Sequence, residues 1–519
     1  ENAVLAIVGG VMIVNDDPDN PDDTVSVYAE DATSAIAESM GAAAGAGAVG
    51  VSVAMAEKSS AVSAVAGGTL AGADALDVAA LSRGGVQSKS TAASGGLAAA
   101  GTGAGADAFD RSVVRAYVAA NANVDADALN VEATAKPQTR AEALGVAVSA
   151  GIGIGASVAK AESETDVAAY IGNGARIVTE SLGVVAGSVR PDSGQTAYAK
   201  AIGGSGGFLF GANATVADAA STNTVLSYVH KGATVTTAGS VSVSASNTSE
   251  QDAEAFGIAA GLVAVGANIA NARSNSTVEA RFDGKLEGMP MVRVYDYVNQ
   301  EYVYIPLAEF AGDTADAQLR IFTDSEGVQW VQYQEPVSGK YRYATLAAYN
   351  IANPMPDNED NTGKPVEEHV APDGYKHPVM VFVTQDLKVT AAGEDDNYAK
   401  AIAGSGGVVA GHAATAGTTN NSRTIASLQN EGSPDTIRAS NVVVDAAHIA
   451  RFNAEVDSVN AAVLGASGAM ARHTVNTDTD AVIGAGAKIE AHDVTVKATD
   501  TIRKDWLSDY NVRAAGGGV

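Results

Sequence analysis

The stretch AGSVSVSAS at residues 238–246 alternates Val241, Val243 and Ala245 with Ser242 and Ser244, which predicts a strand with one buried and one wet face. The same grammar (an aliphatic residue, any residue, Val, any residue, Ala) recurs as VSVYA at 25, LDVAA at 76, LNVEA at 129, LGVVA at 182, LKVTA at 387, VVVDA at 442 and VTVKA at 494. Successive starts, counting the copy at 241, lie 51, 53, 53, 59, 146, 55 and 52 residues apart. The chain is therefore an array with a period near 54, and the long gap is one period carrying an insertion of about 92 residues.

Each unit has two halves. The first is rich in small residues, as in AEALGVAVSAGIGIGASVAKAES from 141 and AKAIGGSGGFLFGANATVADA from 199; the second runs through β-branched residues into the next signature. Ala favours helix, but Gly recurs every few residues at a cost of about 1 kcal/mol each in a helix interior, and the spacing is two rather than 3.6. Short strands that cannot bury a face alone are expected to stack as an all-β parallel β-helix, a β-solenoid. Val241 and Val243 then stand in one interior column with their equivalents. At about 27 residues per rung, two rungs make a unit; three shorter rungs fit the same pattern.

Composition sharpens this reading. Of 519 residues, 56 are Gly and only 5% are aromatic, so few side chains can fill a thick core and close backbone approach must do more of the burying. A formal charge of −28 argues against a nucleic-acid or anionic-membrane partner and fits either a plain acidic surface or a cation-binding one. With no Cys there is no disulfide framework, zinc thiolate or cysteine nucleophile. The first residues, ENAVLAIVGGVMIVNDD, read as a strand pair rather than a signal, and the longest apolar run, at 145–159, is Gly-interrupted and too short for a membrane-spanning helix. Both ends fall inside repeats, so the chain reads as a window on something longer.

The language changes in the insertion, which divides the chain into solenoid repeats at 1–283, an aromatic-rich β domain at 284–380 and continued repeats at 381–519. Nine of the 16 Tyr lie in the insertion, with Trp330, on segments separated by DSEG and PVSG turns that suggest a small antiparallel meander. An insertion on a rigid stack is where function is expected. Tyr302, Tyr304, Trp330, Tyr333, Tyr341 and Tyr343 are the ligand-binding candidates, set against the plainer reading that they are the core of a small domain.

Recognisable chemistry is sparse. GGSGG around Ser205 matches a nucleophile elbow, but its echo AGSGG at 403–407 marks it as repeat vocabulary, and GIGIG at 151–155 lacks the helix and acid of a dinucleotide site. Asp17, Asp19 and Asp22 crowd one loop, an oxygen-rich arrangement suited to calcium, with a solvated loop as the alternative; NTDTD brings Asp478 and Asp480 close in the same way. No catalytic residue and no organic cofactor is indicated.

The repeat AEALGVAVSAGIGIGASVAKAESETDVAAYIGNGARIVTESLGVVA and its echoes resemble the large filamentous adhesins of bacteria, of the leukotoxin-like and filamentous haemagglutinin types exported by two-partner secretion. The resemblance covers nearly everything outside 284–380 and implies a right-handed parallel β-helix, an extracellular or cell-surface location, and adhesion or fibre formation without enzymatic activity. The partners it implies are further repeats or copies of the chain and a glycan or protein on a host or neighbouring cell. Two other classes are weighed: a polysaccharide lyase-like enzyme, which would need acids and bases on neighbouring rungs where the repeats offer Ser, Thr, Asn and Ala, and a calcium- or glycan-binding module.

Overall fold

The structure is a computed structural model describing residues 2–14, 23–192, 194–296, 301–306, 320–324, 329–334, 341–345, 379–383, 386–429, 436–503 and 512–518. The described residues contain strands and no helix, and apart from the insertion the pairing is parallel throughout. The chain is a β-solenoid. Val25, Leu76, Leu129, Leu182, Val241, Leu387, Val442 and Val494 are consecutive register partners, so every copy of the signature stands in one column.

The rung count differs from the sequence-based expectation. Each unit forms one rung, because strand partners lie a whole repeat apart: Phe210 pairs with Val263, 53 residues on. The two halves of a unit do not stack on each other. They face each other. In the rung that begins at Val241, a first wall, Val241–Ala260, runs outward, turns at Gly261 and Leu262, and returns as a second wall, Val263–Phe282. A short edge strand closes the wide end, as Thr234–Thr237 does one rung earlier. The corner before that edge takes a left-handed backbone in rung after rung, filled by Gly10, Gly68, Asn121, Gly174, Gly232 and Gly486, which is why GNG at 172–174 and HKG at 230–232 both end on Gly.

Facing walls explain the graded composition. At the wide end Val241, Val243, Val278 and Phe282 are fully buried with Leu286 of the edge. Next comes a polar layer of Asn247, Ser249, Gln251, Ser274 and Ser276, all buried. Beyond it the core is almost wholly Ala, with Ala253, Ala255, Ala270 and Ala272 across one rung. Near the tip the walls touch: a Cβ on Gly257 would lie 2.3 Å from Asn268 Oδ1. A Val there would force the sheets apart, so the small residues create the taper.

On the outer face of the first wall the register produces a ladder of alternating sign: Glu38, Lys89, Glu142, Lys200, Glu254, Lys400 and Glu455. Lys200 Nζ lies 2.8 Å from Glu254 and Lys400 Nζ 3.1 Å from Glu455. A slip of one rung would bring like charges together, so the ladder helps to fix the stacking order.

The insertion leaves from an edge strand. In Lys285–Asp296 the first four residues still pair with Thr234–Thr237, and Leu286 pairs onward with Ile437, so the solenoid extends past the boundary expected at 284. From Met289 the same strand enters a separate sheet, pairing antiparallel with Glu301–Pro306 on one side and Val379–Val383 on the other. Val379–Val383 also meets Arg320–Asp324, which begins an antiparallel meander through Gln329–Gln334 to Tyr341–Thr345.

Candidate functional site

The sequence candidates in the insertion fall on three strands of that sheet. Tyr302 and Tyr304 are registered with Tyr295 and Arg293. Trp330 is registered with Phe322 and Thr345, Tyr333 with Arg342, Tyr343 with Gln332 and Tyr341 with Gln334. The backbone thus joins the hairpin tyrosines and the meander aromatics in one sheet through Val379–Val383. The calcium candidates Asp17, Asp19 and Asp22 lie outside the described residues. Among the described residues no group of three His, Cys, Asp or Glu side chains is arranged to hold a metal ion. Asp478 is exposed and pairs with Arg423 of the rung before, at 3.3 Å.

Ser205 sits in the strand Ala197–Gly207 with its side chain buried, and its register runs through Ala259 to Ser405, so the serines of both Gly-Ser-Gly strings stand in one interior column. Gly151–Gly155 likewise forms the tip turn and the start of a strand, with no helix beside it.

A groove of about 620 Å³ lies on the outer face of the second wall, over Ser60 and Ser112 and bordered by Arg111, Glu164, Asp166 and Leu226. Arg111 reaches Glu164 at 3.6 Å and Arg115 reaches Asp166 at 3.3 Å. Further along the same wall, nearer the wide end, Tyr117, Tyr170 and Tyr228 stack face to face on successive rungs, centroids 4.6 and 4.9 Å apart, and the Arg281 guanidinium lies 5.5 Å from the last ring. Burial pushes the Tyr170 phenol up to about 12 and also raises that of Tyr228. Rungs turn identical residues into ladders, which is how three tyrosines more than 50 residues apart become one aromatic surface.

Acids and bases do gather on neighbouring rungs of the first wall, contrary to the sequence-based expectation, whereas many of the Ser and Asn residues face inward. Arg190 lies 2.8 Å from Glu250 and 2.7 Å from Asp396, and Arg451 contacts both Asp396 and Glu394. Beside this network Asp252 accepts a hydrogen bond from Gln195 Nε2 at 3.2 Å. Burial, reinforced by Glu254 and Glu250, pushes its carboxyl up to about 7. The network joins four successive rungs, from that of Leu182 to that of Val442.

Two charged clusters occupy the interior polar layer. Lys58, 3% exposed, lies 3.7 Å from Asp31 and 4.0 Å from Asp110 and donates to Ser82 Oγ. Burial opposes ionisation of both acids; bonds from Thr33 and the Lys58 charge hold Asp31 below the usual carboxylate range, while at Asp110 burial prevails. At the other end Asp395 accepts from Ser249 at 2.6 Å, Ser276 at 2.9 Å and His448 at 3.1 Å. Burial works against the Asp395 charge, but these donors hold its carboxyl low; burial also works against the His448 imidazolium, and Asp395 and Asp500 together raise it. Lys58 shares its column with Asp110, Ser163, Ser221 and Ser274, and His448 shares its own with Ser188, Asn247 and Gly393, so their burial is visible only once the columns are aligned.

No protein-family model, no curated protein and no solved structure matches this chain.

Proposed function

We propose that this chain is a structural and adhesive segment of a secreted bacterial surface fibre, a rigid stalk that presents the aromatic-rich insertion at the cell exterior. The observation that carries this reading is the ladder's continuity across the insertion. Val241–Ala260 remains paired with the strand Asp386–Leu428 over 20 consecutive positions although the insertion intervenes. A domain that departs and returns at one corner without disturbing the stack is displayed by it rather than built into it. The Cys-free composition supports a chain exported unfolded, and the Tyr-rich strands supply the flat, amphipathic side chains used to contact glycans and proteins.

The test compares the full chain with one lacking the insertion for binding to immobilised cell-surface glycans and to host cells. Binding that disappears with the insertion supports the proposal. Equal binding by both chains, or turnover of acidic polysaccharides by either, overturns it.

A further inference from the structure

The tip of the first wall is built inside out. Leu144, Val146 and Val148 point outward and are exposed while Gly145 and Ala147 point inward. Between the Glu/Lys ladder and the tip, the outward positions of seven rungs carry a single charge, Asp457. An isolated rod gains nothing from this phase, since the alternate choice would bury the larger side chains.

The strip also has a two-rung relief. The outward column Val146, Gly204, Ile258, Gly404 and Val459 alternates a branched side chain with none. The chain does not itself require these glycines: a Cβ on Gly204 would lie 3.8 Å from the Val146 methyls and one on Gly404 3.7 Å from Ile258 Cγ1, ordinary contacts, and neither residue has a left-handed backbone. Over these five rungs the relief runs in step with the charge ladder, with Glu142, Glu254 and Glu455 on the ridged rungs and Lys200 and Lys400 on the grooved ones; the two rungs before them carry Ala42 and Ala93 in the same column.

We infer that this strip is an interface for a second copy of the chain, packed face to face in a two-fold dimer. With the axis along the strand direction and passing between two rungs, the second rod runs antiparallel and each rung meets one of opposite parity. Val146 and Ile258 ridges then enter glycine grooves, and each Glu of the ladder meets a Lys. An axis through a rung would set Glu against Glu and ridge against ridge, so shape and charge select the same arrangement. An axis between two rungs overlaps an even number of them, so six of the seven pair. Six rungs at about 4.8 Å and six residues at about 3.3 Å give a flat area of roughly 570 Å², below the ~800 Å² per partner of a standard stable interface but of the same order. The interface is separate from the insertion and is independent of whether the insertion binds a ligand.

Sedimentation equilibrium of the purified chain tests this, alongside Gly204→Val/Gly404→Val. The wild type is expected to dimerise, and the double variant to keep its circular dichroism and melting temperature while binding itself at least about tenfold more weakly. A wild type that stays monomeric at all concentrations overturns the inference, as does a double variant that dimerises equally well. Monomeric wild type that floats with phosphatidylcholine vesicles would also overturn it and assign the strip to lipid.

Discussion

Val241 and Leu387 stand 146 positions apart in the chain and next to each other in the same ladder. The preceding rung shows how little is needed to join them, since Ala238, Gly239 and Ser240 alone link the edge strand Thr234–Thr237 to Val241.

Replacing 289–386 with Ala-Gly-Ser should therefore give a folded solenoid, provided Leu286 is kept as part of the core. Circular dichroism should retain the β signal, and thermal unfolding should stay cooperative. Loss of either would mean that the insertion is integral to the stack.

Within one strand, the inward and outward positions should respond in opposite ways to the same substitution. Val243 is fully buried and Ser242 is not. Val243→Asp places a carboxylate without a partner in the aliphatic end of the core and should cost more than about 4 kcal/mol, whereas Ser242→Asp should stay within about 0.5 kcal/mol. Denaturant titration of both variants is the check.

That inward face was legible in the sequence because three alternating positions keep the same small set of residues in every copy. The rung size was not. Both walls alternate with period two and the tip turn is made of the same Gly and Ala as the walls, so half a unit looks like a complete rung. Which face of the tip is inside was also hidden: an Ala- or Gly-only core leaves Val146 and Ile258 as the larger residues, and size then points the wrong way. The aromatic segments were legible as strands from the DSEG and PVSG turns between them, while the tyrosine stack and the buried Lys58 and His448 depend on register between repeats, which a single strand does not reveal.

Lys58 should be needed chiefly to neutralise its acids. Lys58→Met leaves Asp31 and Asp110 buried without their cation and should destabilise the first rungs by about 3–5 kcal/mol. Adding Asp110→Leu to that variant should recover part of the loss, because it removes one of the stranded carboxyls. Failure of the second change to help would show that packing, rather than charge, sets the cost.

The His448–Asp395 pair predicts a pH optimum on the acidic side of neutral. His448 has a raised pKa, so its contribution is full below the unfolded value of about 6.5 and is lost as pH rises through the higher folded value. Asp395 has a lowered pKa, so its contribution is present above about 3.9 and is lost as pH falls through the lower folded value. The melting temperature lost in His448→Gln should thus be largest between about pH 4 and 6.5 and shrink at higher pH. A difference independent of pH would assign His448 a packing role only.

One rung per repeat is tested most directly by proximity across the insertion. Ser244 and Thr390 are register partners with hydroxyls 3.2 Å apart, and the chain contains no native cysteine. Adjacent rungs place their Cα atoms about 4.8 Å apart, inside the range that a disulfide spans, whereas two rungs per repeat would separate them by about 9.6 Å, beyond it. The Ser244→Cys/Thr390→Cys chain should close an intramolecular disulfide on mild oxidation, seen as loss of both free thiols in a folded protein with no covalent cross-link between chains. Two thiols that stay free in the folded, oxidised protein would contradict the one-rung architecture.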